Sequence, residues 1–156
     1  MTKTNAMRML DAAKIAYEIL EYEVDENDLS GMHIAEQVGY PPEMMFKTLV
    51  ARGDKTGPLV CCIPVDREID LKKAAQLTGN KRIEMIHVKD LLGLTGYIRG
   101  GCSPIGMKKK FPTYFDATAA DHEKITVSAG VRGAQMLLER EALVKFVGGT
   151  LIDVAK

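Results

Sequence analysis

The chain has 156 residues, 46% hydrophobic and 27% charged, the balance of one soluble globular domain spanning residues 1–156. Its 21 Lys plus Arg offset 21 Asp plus Glu, which argues against a strong non-specific binder of DNA or RNA and leaves room only for a local basic patch. No apolar run approaches the roughly 18 residues of a membrane span, and the charged N-terminal stretch does not read as a signal peptide.

Ala6, Met9, Leu10 and Ala13 recur at helical spacing, so a helix is expected over 5–16 with Thr4 as its cap. "YEILEYEV" (17–24) alternates like a strand, with a phase slip between Ile19 and Leu20 that suggests a bulge. "HIAEQVG" reads as a short helix closed by Gly39, and "PPEMM" as a helical turn opened by proline. "MFKTLVARG" and "PLVCCIPV" read as a strand hairpin. In the second strand Cys61 and Cys62 are best read as small buried hydrophobes. With Cys102 they make an odd number without metal spacing, which fits a reducing cytoplasm.

"DLKKAAQLTG" is an amphipathic helix with Leu71, Ala74, Ala75 and Leu77 expected inward and Gly79 at its end. A short strand "RIEMI" and a short helix "HVKDLLGLTG" lead to the glycine-rich "GGCSPIGMKKKFP" (100–112). Beyond it the strands are "KKFPTYFD", "KITVSAG" and "GAQMLLE", then the helix "REALVKFVG" and the closing strand "TLIDVA". About seven strands, partly in hairpins and without regular βαβ alternation, predict an α+β fold. Its sheet is mixed or barrel-like and flanked by short helices.

The glycine-rich stretch fits neither standard phosphate loop. Gly101 and Gly106 have the Walker gap, but Met107 stands where lysine is needed and no Ser or Thr follows Lys108 or Lys109; a G-x-G-x-x-G is absent. A turn needing positive φ and an unnamed ligand loop both remain open. Lys47 is either a solvated lysine on a half-buried strand or a cation facing a pocket. By strand alternation Lys47 and Thr48 should not line the same pocket unless the strand is irregular. Ser128 and Gly130 in "TVSAGVRG" read as a turn signal. His33, His87 and His122 sit in no nucleophile motif, and no His, Cys, Asp or Glu pair has zinc-ligand spacing, so neither a metal nor another cofactor is expected.

Four stretches in this order, "FKTLV" (46–50), "IDLKKAA" (69–75), "GGCSPIGMKK" (100–109) and "VSAGVRG" (127–133), closely resemble the YbaK family. These are free-standing Cys-tRNA(Pro) deacylases, related to the editing domain of bacterial prolyl-tRNA synthetases. The resemblance spans essentially the whole chain. It implies a curved mixed sheet with flanking helices, cytoplasmic action on mischarged tRNA(Pro) alongside prolyl-tRNA synthetase, and no DNA or membrane partner. It also implies that Lys47 holds the aminoacyl ester or terminal adenosine. The Gly101 N–H is then expected to approach the substrate carbonyl, and Gly100, Ser128 and Tyr22 to form the pocket. Lys108 and Lys109, on alternating faces of a strand, become a landing for the tRNA end. Some relatives are acidic where this chain has Gln135, which leaves Gln135 outside the catalytic set. In this family the cysteine thiol of the substrate is taken to attack its own ester. Deacylation of Ala-tRNA(Pro), and a tRNA- or synthetase-binding module without turnover, are the alternatives.

Overall fold

The computed structural model describes residues 2–156. Helix α1 (Asn5–Ala12) begins as expected at Thr4, whose Oγ1 accepts from the Met7 N–H at 3.2 Å. It ends earlier than its apolar spacing suggests, because Lys14 takes a left-handed conformation (φ 59°) that turns the chain into β1. Strand β1 (Tyr17–Glu21) pairs with β7 (Ala134–Glu139) in unbroken antiparallel register from Tyr17↔Leu138 to Glu21↔Ala134. The expected bulge is therefore absent. Ile19 and Leu20 are both half-buried on opposite faces, and that two-sided burial is what looked like a phase slip.

Helix α2 (Gly31–Val38) is capped by Ser30 and closed by Gly39 at φ 73°. The hairpin forms as predicted: β2 (Phe46–Gly53) and β3 (Gly57–Pro64) pair antiparallel over their full length. Helix α3 (Leu71–Thr78), strand β4 (Ile83–Met85) and helix α4 (Val88–Thr95) follow. In α3 the two alanines are buried but Leu77 is 51% exposed, so it does not face inward. Strand β5 covers only Thr113–Asp116. Pro112 has no N–H to give a ladder, and its carbonyl instead accepts from Val60 at 2.8 Å. Lys108–Lys110 consequently lie in an irregular segment, all three exposed, rather than alternating along a strand. Strand β6 (Lys124–Ser128), β7, helix α5 (Arg140–Val147) and β8 (Thr150–Ile152) complete the chain.

The eight strands form two sheets, β1-β7-β6 and β4-β2-β3-β5-β8. The second is mixed, with β3, β5 and β8 parallel. The fold is α+β as expected, but the sheets do not close into a barrel. A main core lies between them, built from Phe46, Val50 and Phe115 on one side, Ile125, Val127 and Met136 on the other, with Met7 and Leu10 of α1. A second layer packs Ala51, Leu59 and Ile63 against Ala74 and Ala75 of α3. The adjacent cysteines divide between these layers, Cys62 in the first and Cys61 in the second, as strand alternation requires. Burial pushes the Cys61 thiol up to about 12, so it behaves as a small apolar side chain.

Candidate active site

Among the described residues the two sheets meet at one parallel bridge, Met45↔Thr126, just before β2 and inside β6. Beyond it β2 and β6 no longer pair with each other, and a cavity of about 380 Å³ opens there. Strand β4 covers β2 only at Ala51–Gly53, so the edge from Phe46 to Leu49 is free. The hydrogen-bond phase then decides what that edge presents. The Val60 N–H turns from β2 to Pro112, and the Val50 carbonyl turns from β3 to accept from the Ile86 N–H at 3.1 Å. Val50↔Val60 is thus a non-hydrogen-bonded pair, and so, two residues on, is Thr48↔Cys62. The Thr48 N–H and carbonyl therefore point off the free edge.

This edge explains why consecutive residues Met45 to Val50 all line the cavity. Alternation separates the side chains of Lys47 and Thr48, but an uncovered strand edge exposes backbone from both. The two residues share one pocket on a regular strand, contrary to the sequence expectation.

Lys47 is half-buried. Burial lowers its pKa below 10.5, and Glu68 and Asp66 oppose that shift through their negative charge. Among the described residues no carboxylate lies within ion-pair distance of it. Lys47, one of the lining residues, is therefore a partly desolvated cation without an ion-pair partner among the described residues.

Gly100, Cys102, Ser128 and Gln135 line the same cavity. Ser128 is 7% exposed, and its Oγ accepts from the Gly130 N–H at 3.2 Å, which leaves its hydroxyl proton free. Gln135 is the register partner of Ser128, and its Oε1 accepts from the buried Thr126 hydroxyl at 3.2 Å. Cys102 is buried with a thiol pushed up to about 12, chiefly by burial. It is a small wall residue, not an exposed nucleophile.

Gly101 is placed differently from the expectation. Its N–H donates to the Ile98 carbonyl at 3.0 Å, so it is already used and is not presented to a substrate carbonyl. Gly101 is needed for another reason. A Cβ there would sit 3.1 Å from the backbone of Val131 and Arg132, so only glycine lets the two segments touch. Gly100, at φ 87°, and Cys102 line the cavity, and among the described residues neither N–H has a protein acceptor. The donors this segment offers thus belong to the neighbours of Gly101.

Tyr22 lies in a small adjoining cleft that shares Leu29, Ile34 and Gly100 with the cavity, but it does not line the cavity itself. Lys108 and Lys109 are outside it as well. Arg99, Thr48 and Gln135 are in the wall without having been picked out as site residues. Arg99 follows no pattern in sequence, and Thr48 counts through its backbone. None of the three histidines is among the lining residues.

A half-buried lysine, backbone N–H groups and a serine hydroxyl thus line one pocket, on the fold of an aminoacyl-tRNA editing domain. The family model described as "Aminoacyl-tRNA editing domain" matches residues 32–146, and the chain belongs to that family, of which the YbaK-like proteins are part. It is 50% identical over 152 residues to EbsC of Enterococcus faecalis, named as a candidate Cys-tRNA(Pro)/Cys-tRNA(Cys) deacylase; the match covers 97% of this chain and 93% of that one. A proline–tRNA ligase of Maridesulfovibrio salexigens is 29% identical over 71% of this chain and 19% of its own. Among solved structures, a candidate trans-editing enzyme for prolyl-tRNA synthetase superposes with a TM-score of 0.82 at 21% identity, covering 97% of this chain and 92% of that one. At that identity the likeness speaks for the fold.

Proposed function

We propose that this chain is a trans-editing deacylase that cleaves Cys-tRNA(Pro), with prolyl-tRNA synthetase as the source of the mischarged tRNA. The observation that carries the reading is Lys47, a half-buried cation without a carboxylate partner among the described residues, set in the same cavity as Gly100, Cys102 and Ser128. The 50% identity to EbsC supports the choice of cysteine. Cysteine and proline are close in size, and a synthetase pocket gains only about 1–3 kcal/mol from a methylene-sized difference, so a separate hydrolytic site is needed.

In this reading the substrate supplies its own nucleophile. The cysteine Sγ bonds to the ester carbonyl carbon and the carbonyl electron pair moves onto oxygen. That pair then returns, the carbon–O3′ bond breaks, and the thiol proton ends on the ribose oxygen. Deacylated tRNA and a four-membered thiolactone leave, and water opens the thiolactone. The protein holds the thiol against the carbonyl. Orientation of this kind is worth up to about 7–11 kcal/mol, less here because the ring formed is strained. Lys47 and the N–H groups of Gly100, Cys102 and Thr48 stand ready for the developing oxyanion, each such donor being worth about 2.7–4 kcal/mol. Lys108 and Lys109 serve the tRNA outside the cavity.

The test is loss of the ester from a panel of Cys-, Ala- and Pro-tRNA(Pro). Cys-tRNA(Pro) should be cleaved first. Preference for Ala-tRNA(Pro) would move the specificity to alanine, and no turnover on any of them would leave a binding module.

A further inference from the structure

The segment from Gly100 to Lys110 has a cavity on each side. Gly100 and Cys102 line the one already described. Residues 104–107, 109 and 110 line a second, of about 220 Å³. Its body is apolar, with Met9 of α1, Met107, Phe111 and, from the last turn of α5, Phe146 and Val147. Lys109 and Lys110 are exposed at its rim, and among the described residues neither has a carboxylate within ion-pair distance. In a chain of zero formal net charge, three consecutive exposed lysines beside an apolar slot are a local excess of positive charge.

That combination has a natural occupant. An unpaired nucleotide carries a flat apolar face and, next to it, phosphates. Single-stranded RNA is bound by stacking bases on aromatic side chains while lysines take the backbone. The cavity is smaller than the roughly 300–1,000 Å³ of drug-sized sites, so it suits a single base. Its wall also touches the turn that follows β6. The Tyr97 hydroxyl donates to the Ile105 carbonyl in its wall, and the same ring lies against Gly130, where a Cβ would be 3.0 Å from Cε1. Gly130 follows Ser128 by two residues.

We propose that this second cavity takes one unstacked base of the RNA substrate against Phe111 and Phe146, with the flanking phosphates on Lys109 and Lys110. The proposal rests on the reading that the chain acts on aminoacyl-tRNA, but its test needs no ester. Deacylated tRNA(Pro) is titrated into the full chain and into the Lys109→Ala/Lys110→Ala double variant at several salt concentrations. In parallel, the methyl signals of Met9 and Met107 are followed by NMR as a short single-stranded RNA is added. The double variant should bind more weakly, with a log–log salt slope smaller by about 1.4, the value for two contacts on a single strand. Both methionine signals should move. Phe146→Leu, with its Tm checked, should weaken binding about fivefold or more.

Unchanged affinity and slope overturn the proposal. A lysine effect with unmoved methionine signals does so too, since it means phosphate contacts without a base. So do signals that move with octanoate and not with RNA, which would give the slot to an amphiphilic acid. A protein that cleaves no ester yet shows the predicted RNA effects keeps this site and loses only the catalytic reading.

Discussion

Met45 and Thr126 form the bridge that joins the two sheets, and the cavity begins where their contact ends. The position of that bridge decides which residues line the cavity. It holds β2 and β6 together at one end, so that beyond it the free edge of β2 faces Ser128 and Gln135 across a gap. Lys47 sits two residues along β2 from the bridge, and Ser128 two residues along β6.

The first prediction concerns Lys47→Met, which keeps the length of the side chain and removes its charge. Deacylation should fall by about 10²–10³, the usual loss when one donor to a developing oxyanion is removed. Stability should hold or rise slightly, because the lost cation is desolvated and without an ion-pair partner. Single-turnover rates and a thermal melt check both. A large fall in Tm with the loss of activity would make Lys47 a structural residue.

The pH dependence follows from the same group. Burial lowers the Lys47 pKa, while Glu68 and Asp66 act to raise it. Between the folded pKa and 10.5 the unfolded chain binds more protons, so the Lys47 contribution to stability increases as pH rises through that window. Activity that needs the ammonium must fall over the same window. Glu68→Gln removes a charge that supports protonation, so the alkaline limb of the rate, corrected for spontaneous ester hydrolysis, should move to lower pH. A limb unmoved by this change would assign it to another group.

Gly101→Ala tests the corrected role of that glycine. The new Cβ would press on backbone at 3.1 Å, which cannot yield as a flexible side chain could. Overpacking of this kind costs about 1–3 kcal/mol. Lower Tm should therefore accompany lost activity. Full stability with lost activity would restore Gly101 to a direct role at the substrate.

Asp116 holds the C-terminal end of the chain to the five-stranded sheet. Its Oδ1 accepts from the Val154 and Ala155 N–H groups at 3.1 and 2.9 Å, and its Oδ2 from the Thr118 N–H and hydroxyl at 3.2 and 2.6 Å. Burial alone would raise its pKa, but these bonds more than offset it and hold it below 3.8. The stability it contributes is present above the unfolded value and is lost as pH falls through the folded one. Asp116→Asn places an amide N–H against backbone donors, so chemical denaturation at pH 7 should show a loss of about 1–3 kcal/mol, and less acid sensitivity below pH 4.

Most elements were legible from periodicity and punctuation. Gly39, Gly79 and Gly96 end their helices in left-handed conformations, and Cys61 and Cys62 split between layers as a strand must. The lysine run lies outside a strand because the ladder begins only at Thr113, after Pro112, and three identical residues carry no alternation to show that. Within the site, Lys47, Gly100 and Ser128 were found through the family resemblance, which carries positions but not hydrogen-bond phase. The occupied N–H of Gly101 and the free edge at Thr48 depend on how strands pair across long stretches of chain, and no local pattern records that. Gln135 was visible only as a departure from relatives; its place beside Ser128 comes from the β6–β7 register.

The substrate's own thiol is the centre of this account, and paired kinetics test it most directly. Cys-tRNA(Pro) and Ser-tRNA(Pro), which differ in one atom, are incubated with the protein and ester loss is followed. The account predicts rapid cleavage of the cysteinyl ester and a seryl ester that decays hardly faster than without protein. Comparable enzymatic rates on both would contradict it, since a hydroxyl at that position is a far weaker nucleophile and the protein itself would then have to activate water.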